Sequence, residues 1–273
     1  MKDQRLMINM GLGFDIPVEK RLPSIQAAGF DGFFMDWEPG SPVAQLAKQA
    51  RELGLVFQSI HAPFGQVDKV WEEGEEGEAF LKVLMDCVKD CADNDVPIAI
   101  VHAIIGFDKH TPGELGVERF DRLCTFADEH GVLLGFENTE GEEYLARLLN
   151  DLSGHPSCRF CWDTGHEMCY NRSKDMMALY GDRLVGTHLN DNLGITGEEI
   201  TWLDDSHLLP FDGIADWPGI MERLRRHHFE GPLTFELTRL NKPERHTHDA
   251  YAAWDYDEFL RQAYARAVRV AAC

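Results

Sequence analysis

The sequence has no long hydrophobic run. Across its 273 residues, no apolar stretch reaches the roughly 18 residues that a membrane helix needs. No apolar core of about 7–15 residues follows the first few residues, as it would in a secretory leader. We therefore expect a cytoplasmic protein without a membrane segment.

Positive charge is also scarce. The chain has 26 Lys and Arg against 47 Asp and Glu, which gives a net charge of −21. Nucleic acids bind through Lys and Arg contacts to phosphates, so this charge weighs against a nucleic acid partner. A local basic groove is still compatible with the composition.

Cysteines are few and irregularly spaced. The seven residues are odd in number, and without an export signal this predicts free thiols. Cys158 and Cys161 form a Cys-x-x-Cys pair, but no second pair completes a zinc site. We interpret this pair as part of a buried strand.

No linker or low-complexity tract divides the chain. Eight short apolar segments instead alternate with helical patterns, and the predicted strands lie at 7–10, 32–35, 55–60, 97–101, 132–136, 158–162, 184–187 and 232–235. This rhythm predicts an α/β fold, a single (β/α)₈ TIM-barrel domain over residues 1–273. A doubly wound open sheet is the alternative, but Gly11-Leu12-Gly13 is only a fragment of the Gly-rich turn expected there.

Six consecutive predicted strands end at an ionisable side chain. In a barrel these ends share one rim, and burying so many ionisable groups without a counter-charge is costly. A divalent cation would supply that charge, and mixed carboxylate and imidazole ligands suit Mn²⁺, Co²⁺, Fe²⁺, Mg²⁺ or Zn²⁺. A purely structural network is the alternative. The six residues are His61, His102, Glu137, Asp163, His188 and Glu236, with His166, Asp205 and His207 in loops just downstream.

The motifs around these residues resemble the xylose isomerase-like TIM-barrel superfamily. The matching stretches are Ser59 to Phe64, Val101-His102, Phe136 to Thr139, Cys161 to His166, His188 to Asn192, Asp205 to Pro210 and Phe235-Glu236. In the sugar isomerase and epimerase branch, the resemblance implies one divalent metal held by Glu137, Asp163, His188 and Glu236. It also implies that Glu137 and Glu236 act as an acid/base pair on a carbohydrate, through a metal-bound enediolate.

The endonuclease IV branch of the same superfamily is the second interpretation. There the resemblance implies three zinc ions and cleavage of abasic DNA, with ligands matching His61, His102, Glu137, Asp163, His166, His188, Asp205, His207 and Glu236. The net charge, the stretch from His188 to Asn192 and Glu140 favour the sugar branch, where these extra residues would contact substrate. Phe211-Asp212-Gly213 departs from the Gly-x-Gly usual after the loop proline. A non-catalytic sugar-binding barrel would lack one of the paired glutamates, and both are present.

Aromatic and basic residues near the rim give weaker signals. Trp37, Phe64, Phe107, Trp162 and Trp202 are candidates for the wall of a sugar site, although large side chains also fill barrel mouths. Lys109, Arg239 and Lys242 are candidates for contact with an anionic substrate group, although each also fits a solvated charge. The sequence is compatible with a homo-oligomer.

Overall fold

The computed structural model describes residues 4–108 and 111–273. Within them, eight parallel strands form one sheet, as the sequence predicts. Apolar runs of three to six residues build these strands, because both faces of each are covered. They are β1 (Leu6–Asn9), β2 (Gly32–Asp36), β3 (Val56–His61), β4 (Ile98–His102), β5 (Leu133–Glu137), β6 (Cys158–Asp163), β7 (Leu184–His188) and β8 (Leu233–Phe235).

The sheet closes on itself. The strand order is β7-β6-β5-β4-β3-β2-β1-β8, so β1 pairs with both β2 and β8. Just beyond β7, the Leu189 N–H donates to the Thr234 carbonyl at 2.8 Å, and the Glu236 N–H donates to the Leu189 carbonyl at 3.2 Å. These bonds join the two edge strands, so the barrel prediction is confirmed and the open-sheet alternative is wrong.

Helices surround the barrel. Those described are α1 (Val18–Ala28), α2 (Val43–Leu53), α3 (Glu75–Asp93), α4 (Glu114–His130), α5 (Glu142–Asp151), α6 (Thr164–Met168), α7 (Met176–Tyr180), α8 (Trp217–Arg226) and α9 (Tyr256–Ala271). Gly29, Gly54 and Gly131 follow α1, α2 and α4 with positive φ angles, a conformation that commonly ends helices. Among the described residues, no helix combines the length and apolar content of a membrane span.

Two helices near the rim begin at aspartate caps. Thr164-Gly165, a pair typical of turns, begins α6 because the Asp163 carboxylate accepts from the His166 N–H at 2.6 Å. The helix α8 begins at Trp217, directly after its capping residue Asp216.

Part of the barrel interior below the rim is apolar and tightly packed. Ile98, Ile100 and Cys161 form a buried cluster there. A Cβ added at Gly135 would lie 2.9 Å from Ile100 Cδ1, so this position accepts only glycine without rearrangement. All seven cysteines are free, and Cys158 and Cys161 are both buried, which confirms their interpretation as strand residues.

Candidate functional site

Four of the predicted rim residues meet at the carboxyl ends of adjacent strands. Glu137, Asp163 and His188 end β5, β6 and β7, and Glu236 directly follows β8. One oxygen or nitrogen atom from each lies within 4.8 Å of those of the others. His188 Nδ1 lies between the paired glutamates, 2.7 Å from Glu137 Oε1 and 3.0 Å from Glu236 Oε2. The four side chains are therefore close enough to share one ion.

Two further histidines contact the other oxygen of Glu137. His102 Nε2 lies 3.0 Å from Glu137 Oε2, and His61 Nε2 lies 3.3 Å from the same atom. His102 ends β4, which pairs with β5, and His61 ends β3, which pairs with β4. Glu137 is thus fully buried and surrounded by three imidazoles.

The loop residues predicted downstream join the same cluster. Asp205 Oδ1 lies 2.7 Å from His207 Nε2 and 3.5 Å from His166 Nε2. His166 and His207 also group with Asp163 within 4.8 Å. His207 has a φ of +47°, a left-handed conformation that a non-glycine residue adopts only when its surroundings hold it there.

Asp191 holds the loop that carries Asp205 and His207. Its main chain pairs with Leu208, with an N–H to carbonyl distance of 2.9 Å in each direction. Its carboxylate accepts from the N–H groups of Phe211 (2.8 Å) and Ala215 (2.9 Å) and from the Trp217 indole (3.1 Å). Asp191 therefore supports the site from behind, as part of the loop's framework.

The pKa values of the carboxyls reflect these contacts. Burial alone would raise the pKa of Glu137, but His188 and the hydrogen bonds from its three imidazoles hold it well below its usual value. Burial also opposes ionisation of Glu236, yet His188 and His207 lower its pKa to about 2. Asp163 differs, because burial raises its pKa to about 6. Both glutamates are therefore ionised near neutral pH, whereas Asp163 takes up its proton at a higher pH than they do.

The pKa values of two imidazoles move the other way. Burial would lower the pKa of His207, but Asp205 and Glu236 raise it to about 9. Burial is likewise outweighed at His188, whose pKa lies well above its usual value because of the surrounding acidic groups. Protons on these rings offset part of the carboxylate charge, a role that a cation can also fill.

The hydrogen bonds of three histidines fit a metal centre. The Nδ1 atoms of His61, His166 and His207 face the carbonyls of Ala62 (2.8 Å), Asn138 (3.1 Å) and Glu236 (3.2 Å). If each Nδ1–H donates to that carbonyl, the Nε2 lone pair of the neutral ring faces a carboxylate. Two acceptors facing each other need a proton or a cation between them. Metal-binding histidines commonly donate their second nitrogen in this way, so the residues fit a divalent ion.

The cluster forms the floor of a cavity of about 520 Å³. Imidazoles and carboxylates cover the floor, while the loops after β3, β4, β6 and β7 supply an apolar wall. The described lining residues are His61, Phe64, His102, Ile105, Gly106, Phe107, Glu137, Glu140, His166, Tyr170, Trp202, Asp205, His207, Glu236 and Lys242. This volume lies in the usual range for small-molecule sites.

The structure separates the aromatic candidates into two groups. Phe64, Phe107 and Trp202 line the cavity, as expected. Trp37 is buried elsewhere and donates its indole N–H to Asp90 Oδ2 at 2.7 Å. Trp162 is also buried away from the cavity. It is therefore not part of the cavity wall, contrary to the sequence-based expectation.

The bond made by Trp162 explains its position. Its indole N–H donates to Glu167 Oε2 at 2.9 Å, and the Arg223 guanidinium lies 4.5 Å from the centre of its ring.

Among the basic candidates, Lys242 lines the cavity, whereas Arg239 packs over Phe14 at 4.4 Å. Lys109 lies outside the described residues.

Among the lining residues that the sequence did not suggest as part of the cavity wall, Tyr170 and Glu140 make specific contacts. Tyr170 stacks on His166, with ring centres 4.8 Å apart, and its position four residues after a candidate ligand was an available signal. Glu140 faces the cavity and accepts from the Gly106 N–H at 2.8 Å. This loop contact could not be read from the spacing of the two residues.

The chain belongs to the xylose isomerase-like TIM barrel family, whose model matches residues 22–258. It is 26% identical over 266 residues to the uncharacterized protein y4fM of Sinorhizobium fredii, with 82% of each chain covered. The family assignment agrees with the closed barrel and with the residues at its rim.

Solved structures with the same fold include sugar epimerases. D-psicose 3-epimerase, determined in the presence of D-fructose, has a TM-score of 0.73 at 14% identity, with 97% of each chain covered. The 3-keto-D-glucoside 4-epimerase of E. coli has a TM-score of 0.70 at 15% identity, covering 99% of this chain and 100% of that one. A fusion of a xylose isomerase-like TIM barrel with 4-hydroxyphenylpyruvate dioxygenase has a TM-score of 0.73 at 19% identity. The match covers 98% of this chain and 42% of the fusion protein.

Proposed function

We propose that the protein is a divalent-metal-dependent isomerase or epimerase of a sugar or sugar phosphate. The observation that carries this proposal is the position of Glu137 and Glu236 on the two sides of His188 Nδ1, at 2.7 and 3.0 Å, on the floor of a closed-barrel cavity. The family and the epimerases among the similar structures support it.

The two glutamates would move the proton. One carboxylate removes the proton from the carbon next to the sugar carbonyl, and the electron pair delocalises onto the carbonyl oxygen as an enediolate. In an isomerisation, the glutamate that took up the proton returns it to the neighbouring carbon. In an epimerisation, the second glutamate takes up a proton from solvent and delivers it to the opposite face of the same carbon. A divalent ion held by Glu137, Asp163, His188 and Glu236 would stabilise negative charge on the substrate oxygen.

The surroundings of the two glutamates suit this work. Glu137 is fully buried, whereas the Glu236 side chain is 17% exposed. Both carboxyls have pKa values below their usual range, so both are ionised and one can act as the base near neutral pH. The remaining rim histidines, His61, His102, His166 and His207, would then contact sugar hydroxyls.

The test is hydrogen exchange with solvent. The protein, supplied with Mn²⁺, Co²⁺ or Zn²⁺, is incubated in D₂O with a panel of free ketoses, their phosphates and keto-glycosides. We expect deuterium at the carbon next to the carbonyl of at least one compound. Glu236→Gln should abolish interconversion, whereas Glu230→Gln at an exposed surface position should not change it. No exchange with any sugar would contradict the proposal.

A second candidate function has a specific observation in its favour. Three groups of possible metal ligands lie side by side. Glu137 belongs to the first and second groups, and Asp163 belongs to the second and third. The groups are His61/His102/Glu137, Glu137/Asp163/His188/Glu236 and Asp163/His166/His207. This is the pattern expected for an endonuclease IV-like centre with three zinc ions, acting as a phosphodiesterase on abasic DNA. About three zinc ions per chain together with cleavage of an abasic-site duplex would favour this function, and the net charge of −21 counts against it.

A further inference from the structure

The mouth of the cavity carries a ring of aromatic side chains, here called the aromatic collar: Phe64, Phe107, Tyr170 and Trp202. Phe64, Phe107 and Trp202 are 40%, 36% and 52% exposed. They are the three aromatic residues among the exposed large hydrophobic side chains of the described residues, and all three line this cavity. Exposed apolar surface concentrated at one site indicates a binding surface.

The collar is attached to the polar floor. Phe64 stacks on His102, with ring centres 4.4 Å apart and an interplanar angle of 19°. Tyr170 stacks on His166 at 4.8 Å, and Phe107 meets Tyr170 edge-on at 5.5 Å. These contacts hold Phe64, Phe107 and Tyr170 against the imidazoles of the floor, so a molecule bound to the floor lies beside aromatic rings.

The cavity is larger than one sugar ring. At about 30 Å³ per water molecule, a volume of about 520 Å³ has room for roughly 17 waters. A hexose, whose twelve non-hydrogen atoms are bonded more closely than water molecules in the liquid, fills fewer than about 12 of these places. The remaining volume lies beside side chains that suit an apolar ring face better than hydroxyl groups.

Above the imidazole floor, the described residues offer little positive charge to an anionic substrate group. Four carboxylates line it: Glu137, Glu140, Asp205 and Glu236. Among the described lining residues, Lys242 is the single Lys or Arg. Its ammonium lies 3.3 Å from Asp205 Oδ2 and 5.3 Å from the Trp202 ring centre, so its charge is already balanced.

From the collar, the volume and the charge, we infer that the substrate is a neutral two-ring sugar derivative. The ring that reacts lies against Glu137 and Glu236, and a second ring, joined through a glycosidic bond, stacks on the collar. This inference rests on the proposed function. A glycosidic bond closes the anomeric carbon as an acetal, so the carbonyl must stand on another ring carbon. A proton leaves the carbon beside it, and its return to the opposite face of that carbon is an epimerisation.

The test compares matched keto-glycosides that differ only in the group on the anomeric oxygen. We expect kcat/KM for deuterium exchange to be about tenfold higher with a phenyl or glucosyl group than with a methyl group, since aromatic contacts contribute on this scale. Trp202→Ala and Phe107→Ala should bring this ratio toward one, mainly by raising KM for the two-ring compounds. Leu179→Ala, at an exposed position outside the cavity, should leave the ratio unchanged.

Other results would overturn the inference. Equal kcat/KM for the methyl and phenyl compounds, or exchange confined to free ketoses or phosphorylated sugars, would contradict it while leaving the proposed function intact. If no compound exchanges, the proposed function fails. In that case, a binding measurement tests the two-ring site without catalysis: the NMR signal of the Trp202 indole N–H, assigned by its loss in Trp202→Phe. A shift on adding the phenyl keto-glycoside, but not the methyl one, supports the two-ring site, and no shift contradicts it.

Discussion

The two ends of the barrel use their acidic side chains in different ways. At the amino ends of the strands, Asp31 accepts from the Leu6 N–H and Asp128 from the Ser157 N–H, both at 2.8 Å. At the carboxyl ends, Glu137 and Glu236 are instead held against each other through His188. Asp31 and Asp128 thus satisfy backbone donors, whereas the two glutamates are surrounded by imidazoles.

This difference identifies which end does chemistry. A group that only stabilises the fold is expected to have partners that satisfy it fully. At the carboxyl end, His188 Nε2 and Ser206 Oγ are buried and have no hydrogen-bond partner among the described residues. Three histidines there contact backbone carbonyls through Nδ1, and their Nε2 atoms face carboxylates. Unsatisfied polar groups of this kind point to a missing ligand.

The largest contrast should come from the carboxyl end. Glu137→Gln keeps the size of the side chain but removes the charge that faces three imidazoles, and we expect interconversion of the sugar substrate to slow by about 10²–10⁴-fold. The rate is measured by product analysis, with circular dichroism to establish that the variant is folded. A rate equal to that of the unmodified chain would show that Glu137 moves no proton.

The framework of the loop should give the next largest effect. Asp191→Ala leaves three main-chain N–H groups and the Trp217 indole without their acceptor. We expect a loss of about 3 kcal/mol in the free energy of unfolding, together with slower interconversion because Asp205 and His207 lose their support. Urea denaturation measures the first and product analysis the second. Loss of neither would mean that the loop is held by other contacts.

The amino end should affect stability alone. Asp128→Ala removes the acceptor of the Ser157 N–H and a partner 2.7 Å from His155 Nδ1, so we expect a loss of about 1–2 kcal/mol in the free energy of unfolding. The rate per folded molecule should not change. A clear fall in that rate would erase the distinction between the two ends.

The smallest expected effect is a pH dependence at the amino end. Partial burial alone would lower the pKa of His155, but hydrogen bonds to Asp121 and Asp128 raise it above its usual value. The resulting stabilisation is fully present below about pH 6.5, the unfolded value. It is lost as pH rises through the folded pKa. We expect His155→Gln to cost at most about 1 kcal/mol at pH 6 and less at pH 9. A cost that grows with pH would contradict this sign.

The sequence predicts the fold and the polar rim because both depend on position along the chain. Each strand is an apolar run, and the residue that ends it must lie on the rim of a closed barrel. The direction of a side chain needs one further step. Trp162 alternates with Cys161 and Asp163, which point into the barrel, so it must point toward the helices, and this period of two was an available signal. The collar contacts of Tyr170 and the support of Asp191 depend on loop conformations, which no short sequence pattern specifies.

Metal binding tests the central claim most directly. The metal-free protein is titrated with Mn²⁺, Co²⁺ or Zn²⁺ by calorimetry, and bound metal is counted by elemental analysis, both without any substrate. We predict close to one ion per chain in the unmodified protein and in Asp128→Ala, and loss of that ion in His188→Ala. No bound ion, or an ion held equally well by His188→Ala, would contradict the claim that Glu137, Asp163, His188 and Glu236 form a metal centre.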